Sequence, residues 1–378
     1  MEVMTEKLEL QLDKSTWTPV KFGDVVKETK ENCKDPLAEG IEHVVGLEHI
    51  TSGDIHLRNS ASIEESTTFT KKFAKSDVLF GRRRAYLKKA AQANFNGICS
   101  GDITVFRAKP NLLPELLPFI VNNEKFFDYA VKHSAGGLSP RVKFKDLANF
   151  EFLLPPKAEQ ARLAKLLWAM DEVIEREKEV LEKLETNDSS QLKHYFYDDK
   201  NSVRIKLKNL ITIKKGKKPS VLVDEGEGLP YCTAQYLRTG KVEQIVPKHA
   251  YNSAVKITNE DILALWDGSN AGEMLFGKEG FLASTMCKLS IESDEFIQDF
   301  IFHFLRFKTN DIKRATVGSA IPHVDPGMIE NIEIPKLDLT IQKEVISIFE
   351  SIKTNNSIVS EKISSSQTLL KSLINQVF

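Results

Sequence analysis

The stretch Phe152-Leu153-Leu154-Pro155-Pro156-Lys157-Ala158-Glu159-Gln160-Ala161-Arg162-Leu163 marks a complete change of register in the chain. After Gln160 the apolar side chains fall at Leu163, Leu167, Met170 and Ile174, then at Leu181 and Leu184, with Glu177 the one charged interruption. A three-four spacing of this kind predicts a heptad seam on a long helix. Running from about Glu159 to Tyr195, that helix would be roughly 55 Å long at about 1.5 Å per residue.

The same passage is written a second time. Ile332-Glu333-Ile334-Pro335 is followed by Ile341-Gln342-Lys343-Glu344-Val345, with a seam at Ile341, Val345, Ile348, Ile352 and Val359 and then Leu370, Leu373 and Val377. Asn355 and Ser366 fall at seam positions, where polar residues weaken a contact but select register and partner. Upstream, Gly136-Gly137-Leu138-Ser139-Pro140 returns as Gly318-Ser319-Ala320-Ile321-Pro322. Pro140 and Pro322, like Gln160 and Gln342, are 182 positions apart, and Asp77 of Phe73-Ala74-Lys75-Ser76-Asp77-Val78-Leu79 has its echo in Asp261 of Ile257-Thr258-Asn259-Glu260-Asp261-Ile262-Leu263. Solenoid units are about 20 to 50 residues, so this period means a duplicated domain. Two similar but unequal domains suggest two related readings of one extended partner.

Each half opens on a strand-like segment, Val20–Val26 or Ile205–Leu210. His43-Val44-Val45-Gly46-Leu47 and Ile262-Leu263-Ala264-Leu265-Trp266 have strand composition. Leu116–Val121 with Phe126-Phe127, and Phe296–Leu305, predict a helix at the matching place of each half. The expected fold class is α+β (mixed α/β): two globular domains separated by two long antiparallel coiled-coil helices, a pseudo-two-fold internal repeat. The alternative for each long helix is a core helix of its own domain. Charged outer positions such as Glu172, Glu175, Arg176, Lys178, Glu179, Glu182 and Lys183 predict a solvated surface.

At 378 residues and 42.7 kDa the chain is long for a single core. Its 41% hydrophobic and 28% charged content is ordinary. No apolar run approaches the roughly 20 residues of a membrane helix, and the acidic, polar Met1–Lys7 does not look like a secretory signal. The expectation is an intracellular protein with no membrane partner. Cys33, Cys99, Cys232 and Cys287 are scattered singly, which suggests neither a zinc site nor a disulfide framework. A net charge of -1 argues against coating nucleic acid by bulk charge, so local patches must carry any such role.

The densest patch is Arg82-Arg83-Arg84-Ala85-Tyr86-Leu87-Lys88-Lys89, five cations in eight residues directly after the strand-like Val78-Leu79-Phe80. Such a cluster suits phosphates, and arginine's planar fork can also grip guanine; the alternative is a solvated loop. The second half carries Lys214, Lys215, Lys217 and Lys218 early, and Trp266-Asp267-Gly268-Ser269-Asn270 at the place equivalent to the arginines. There Trp266, Asp267, Ser269 and Asn270 offer polar chemistry, Asn suiting adenine and Asp suiting cytosine. The loops ending at Arg141 and His323 place glycine and hydroxyl groups beside a cation, which suits a phosphate or a simple turn equally. The framework agrees between halves while these loops diverge, so a duplicated recognition module could acquire two targets.

There is no Gly-x-Gly-x-x-Gly turn, no phosphate-binding Gly-x4-Gly-Lys-Ser/Thr loop, no Asn-Pro-Pro-Tyr/Phe tetrapeptide, no Gly-x-Ser-x-Gly elbow and no metal-spaced His/Cys set. Carboxylate and lysine pairs such as Glu175 and Lys178 have the spacing of helix-surface pairs. No catalytic, cofactor-binding or metal-binding residue is therefore assigned.

Leu154-Pro155-Pro156 followed by Glu159-Gln160 and a heptad helix, repeated near the C-terminus, resembles the conserved regions of specificity subunits of Type I restriction-modification systems. Asp77–Leu87 and Gly97–Ile103 look like stretches of that family's target recognition domains. The second copy departs locally, with Thr340-Ile341-Gln342 in place of Glu-Gln and extra residues after Pro335. The resemblance implies a non-catalytic, cytoplasmic subunit reading a bipartite double-stranded DNA site, one half-site per domain, with the helices setting the unread spacer and docking two DNA methyltransferase subunits. It also implies S-adenosylmethionine in the methyltransferase, and ATP and magnesium in a separate restriction and translocation subunit, the target base being flipped into the partner.

On this reading residues 1–153 form the first recognition domain, 154–200 the central helix, 201–335 the second domain and 336–378 the last helix. Two rivals are a coiled-coil scaffold whose domains bind proteins, and a self-sufficient nuclease or methyltransferase.

Overall fold

The computed structural model describes residues 12–63, 68–198, 203–316 and 322–378. Met1–Lys7 and the Gly318–Ile321 part of the repeat lie outside the described residues. The chain divides into two compact units, one made of Met1–Val180 with Val359–Phe378 and the other of Leu181–Ile358.

The duplication extends to individual strands. In the first unit Thr18–Lys21 pairs antiparallel with Glu151–Leu154, closing the globular part just before the double proline. One antiparallel sheet has the order Val26–Glu28, Ile103–Ala108, Val78–Gly81, Ala90–Gln92; a second runs Ala61–Ser62, His43–Val45, Gly97–Cys99, Lys71–Phe73, with its middle pair parallel. In the second unit Arg204–Lys206 pairs with Glu333–Pro335. Its sheets are Ile211–Lys215, Met286–Ile291, Ile262–Leu265, Met274–Phe276, and Ile245–Val246, Leu229–Cys232, Gly280–Leu282, Lys256–Ile257, again with the middle pair of the second sheet parallel. Order and sense match throughout, as expected for mixed α and β domains made by duplication.

The echo of Asp77 in Asp261 has a structural cause. Asp77 accepts from the Ala74 amide at 2.8 Å, tying the turn before Val78–Gly81, and Arg107 from the neighbouring strand donates to both its oxygens at 2.7 Å. Asp261 accepts from the Thr258 amide at 2.7 Å, and Lys288 of the neighbouring strand sits 2.6 Å away. In both units the carboxylate anchors a turn and is compensated by a cation across the sheet, as burial of a charge requires.

Some predicted elements are shorter than expected. The strand at His43 stops at Val45, because Gly46 leads into a 3-10 turn at Leu47–His49. The expected Leu116–Phe127 helix is two helices, Leu117–Val121 and Glu124–Lys132, since the Asn123 side chain accepts from the Lys125 amide and starts a new helix. Phe22–Val25 is a single helical turn interrupting the Val20–Val26 segment. The second-half helix runs Gln298–Phe307 and buries Phe300, Ile301, Phe304 and Leu305.

The long helices are Lys157–Lys193, extended by a wider turn at His194–Asp198, and Leu339–Val377. Each contributes to both units. In the first unit Leu163, Leu167 and Ile174 share a core with Leu370, Leu373, Ile374, Val377 and Phe378. The last helix ends against this unit's globular part: Lys14 donates to the Gln376 and Val377 carbonyls at 2.8 and 2.9 Å, and Lys125 to that of Phe378 at 3.1 Å. Cations here satisfy helix-end carbonyls that have no intrahelical donor. In the second unit Leu192 and Phe196 share a core with Val345, and Ile341, Ile348, Phe349 and Ile352 pack against it.

Every predicted seam residue is buried or half-buried. Glu177 lies in the seam, where its spacing places it, at only 8% exposure. Two polar expectations need correction. Asn355 is exposed, and the half-buried polar residue there is its neighbour Asn356, whereas Ser366 does face inward. Glu175 and Lys178, expected on the solvated face, are half-buried and paired with each other, Glu175 also with Arg58.

Candidate nucleic-acid interface

In the first unit the strand Val78–Gly81 delivers the basic cluster to a bracket of backbone hydrogen bonds. The Arg82 amide donates to the Asp102 carbonyl at 2.9 Å, the Val142 amide to the Arg82 carbonyl at 3.0 Å, and the Arg84 amide to the Pro140 carbonyl at 2.8 Å. Arg83 and Arg141 face each other across an isolated β-bridge. A short 3-10 turn, Ala85–Leu87, follows with Ala85 buried, and it is flanked by Arg84 and Lys88, both left-handed at φ 53° and 49°.

The cations of this cluster have different fates. Asp102 accepts from Arg141 Nε at 2.7 Å and from Arg83 at 3.2 Å, while Arg83 also donates to the Ser139 hydroxyl at 3.0 Å. Burial alone would raise the Asp102 carboxyl, but the hydrogen bonds from Arg141 and Arg83 outweigh it and hold the group below its usual value. Arg82 is half-buried with its Nε unpartnered, and Lys89 donates to the Leu47 carbonyl at 2.7 Å. Lys88 is half-buried, and its carbonyl accepts from the Gly53 amide. Arg84, Tyr86 and Leu87 are exposed, with Tyr86 at 53% and Leu138 on the adjoining loop at 96%. One face therefore combines free and braced cations with an aromatic and an apolar tip.

The second unit repeats the bracket with different side chains. The Trp266 amide donates to the Thr285 carbonyl at 2.8 Å, the Val324 amide to the Trp266 carbonyl at 3.0 Å, and the Gly268 amide to the Pro322 carbonyl at 2.9 Å. Asp267 and His323 form the bridge that Arg83 and Arg141 form in the first unit. Lys215 lies 3.0 Å from Asp267, and Lys214, Lys217, Lys218, Ser269, Asn270 and His323 are exposed. Trp266 departs from its expected role: at 6% exposure it belongs to the core with Phe300 and Phe304, because the residue just past the strand Ile262–Leu265 turns inward. Asp267 is half-buried and engaged by Lys215, leaving Ser269 and Asn270 at the tip.

One constellation was not visible in the sequence. His56 Nε2 lies 2.7 Å from Asp171, and Arg58 donates to both oxygens of Glu175 at 2.8 Å, so a globular loop is fastened to the Lys157–Lys193 helix within the first unit. The hydrogen bond to Asp171 raises the His56 pKa, and Arg58 is the first cause that draws Glu175 down to about 2. The spacing of Asp171 and Glu175, four apart on one helix face, was the available signal. His56, Asp171 and Glu175 bring metal-ligand atoms within 4.8 Å. Glu175 is already neutralised by Arg58 and Lys178, and Asp171 is engaged by His56, so the group works as an ionic fastening. All four cysteines are free and buried, and burial pushes Cys99, Cys232 and Cys287 up to about 12, which leaves inert thiols. Among the described residues no helix is long and apolar enough to cross a membrane.

Residues 14–186 and 199–365 each match the model of the Type I restriction modification DNA specificity domain. The MjaVIII Type I restriction enzyme specificity subunit of Methanocaldococcus jannaschii is 36% identical over 176 residues, covering 46% of this chain and 41% of that protein. The EcoDI specificity subunit of Escherichia coli is 26% identical over 168 residues, 43% of this chain and 37% of that protein. The chain thus matches less than half the length of these curated relatives. Two solved structures share the fold. A chain from a study of complex assembly and conformational transition of the type I R-M system has a TM-score of 0.65 at 18% identity, covering 98% of this chain and 99% of that one. The S subunit of a Type-I restriction-modification system from M. genitalium has a TM-score of 0.58 at 16% identity, covering 98% of each chain. With both halves matched and the bracket repeated in each, the chain belongs to the Type I restriction-modification DNA specificity family.

Proposed function

We propose that this chain is the non-catalytic, cytoplasmic DNA-recognition subunit of a Type I restriction-modification complex, each globular domain taking one half of a bipartite duplex site. The observation that carries this reading is the repeated bracket: Arg82, Arg83 and Arg84 occupy the backbone positions of Trp266, Asp267 and Gly268, with the same hydrogen bonds and different exposed chemistry. A common frame with divergent tips suits recognition of two different sequences by one mode. With a net charge of -1, affinity rests on local cations against phosphates, and specificity on the tips that reach base edges.

The two long helices act on this reading as an antiparallel coiled-coil spacer that sets the unread gap and docks two methyltransferase subunits. Support comes from Lys362 lying 3.5 Å from Glu177 in the first unit, and Tyr195 donating to Glu344 at 2.9 Å in the second. S-adenosylmethionine belongs to the methyltransferase, ATP and magnesium to a restriction and translocation subunit. The test is selection from a randomised duplex pool by the full chain with its methyltransferase. The expected outcome is a two-part motif with a fixed gap, bound poorly when either part is scrambled; a single continuous motif or none would overturn the reading.

A further inference from the structure

Among the described residues only Ser76, Arg84 and Lys88 are non-glycine residues at positive φ. Arg84 is distinctive because the repeat supplies its control. Its counterpart is Gly268, whose amide makes the same hydrogen bond to a proline carbonyl, Pro322 in place of Pro140, at positive φ 117°. An ideal Cβ on Gly268 would meet nothing within 4 Å, so the position demands backbone freedom rather than space. Glycine meets that demand without strain, and arginine does not. The first unit nonetheless keeps arginine there, exposed beside Tyr86, while Arg83 and Arg141 are tied to Asp102.

Resting on the proposed function, we infer that Arg84 is the specificity-determining residue of the first half-site, reading a base with two adjacent major-groove acceptors, as guanine presents. A phosphate contact needs only a charge within reach, and an unstrained neighbour would supply it. A bidentate base contact needs one guanidinium at one angle, and a left-handed backbone pinned to Pro140 provides that aim.

The experiment compares wild type, Arg84→Gly and Arg84→Lys as full chains with the methyltransferase, by selection from a randomised duplex pool, by binding across salt concentrations and by thermal melting. Arg84→Gly is expected to melt no lower than wild type, to relax one position of one half-site, and to lose about 10- to 100-fold affinity for the wild-type motif with the salt slope unchanged. Arg84→Lys keeps the charge and does not restore the position. A variant motif identical to the wild-type one overturns the inference while leaving the bipartite reading standing. Uniform weakening with a salt slope reduced by about one identifies a phosphate contact and overturns it equally. Absence of any two-part motif for wild type removes the proposed function and this inference together.

Discussion

Gln160 and Gln342 make the same three hydrogen bonds, each inside its own unit. Gln160 accepts from the Leu113 amide at 2.9 Å and donates to the Asn111 and Pro155 carbonyls at 3.1 and 2.9 Å. Gln342 accepts from the Ile297 amide and donates to the Glu295 and Leu337 carbonyls, all at 2.8 Å. Both are buried, so truncation strands backbone groups that water cannot reach. Gln160→Ala and Gln342→Ala are each expected to cost about 2–4 kcal/mol. Hydrogen exchange should accelerate around Leu113 in the first variant and around Ile297 in the second; exchange unchanged at those amides would contradict the clamp.

This clamp explains what the sequence disclosed. Gln160 and Asp77 recur because Gln160 satisfies three backbone groups and Asp77 ties the Ala74 amide to the Arg107 guanidinium, roles that only those side chains at that spacing can fill, and such residues leave a trace in a repeat. The strands and long helices were legible from periodicity. The inward turn of Trp266, the pairing of Arg58 with Glu175 and the sharing of each long helix between two units were not, since they depend on contacts between segments far apart in the chain. The basic cluster was legible as composition, but its division into braced and exposed arginines depends on Asp102, nineteen positions beyond Arg83.

Glu177 is the weak point of the first unit's helix packing. Neither carboxylate oxygen has a hydrogen-bond partner, and Lys362, at 3.5 Å, is its ion-pair partner. The carboxylate is buried while Lys362 stays 69% exposed, so this long, solvent-screened contact does not recover the desolvation cost of Glu177. Glu177→Leu should therefore stabilise the protein by about 1–2 kcal/mol, whereas Lys362→Ala should destabilise it. Thermal melting of both variants decides the matter, and a lower melting temperature for Glu177→Leu would mean that the carboxylate is better solvated than its burial implies.

The fastening at His56 titrates in a defined direction. Its pKa is raised above the ordinary 6.5, first by the hydrogen bond to Asp171, so its contribution is complete below about 6.5 and is lost as pH rises through the raised value. Glu175, drawn down to about 2 by Arg58, contributes above about 4.5 and loses that as pH falls towards 2. The joint is strongest between about 4.5 and 6.5. The stability difference between wild type and His56→Asn should be largest in that window and shrink towards alkaline pH; a difference independent of pH would mean that His56 stays neutral.

Asp102 restrains two cations on the face proposed to meet DNA, and its removal separates charge from geometry. Arg83 and Arg141 are both partly exposed, so freeing them costs little in solvation, and they gain the reach to contact phosphates. In Asp102→Ala the face loses one negative charge and releases two positive ones. Binding to random-sequence duplex should strengthen and its salt slope should steepen by up to about two. Preference for the selected motif should fall at the same time, because the loop carrying Arg141 is no longer held against Arg83 and the turn at Arg84 loses its support at Pro140. Affinity measured across salt on random and selected duplexes tests both halves of this expectation. Unchanged discrimination alongside stronger random binding would show that Asp102 tunes charge alone and that the bracket keeps its shape through backbone hydrogen bonds.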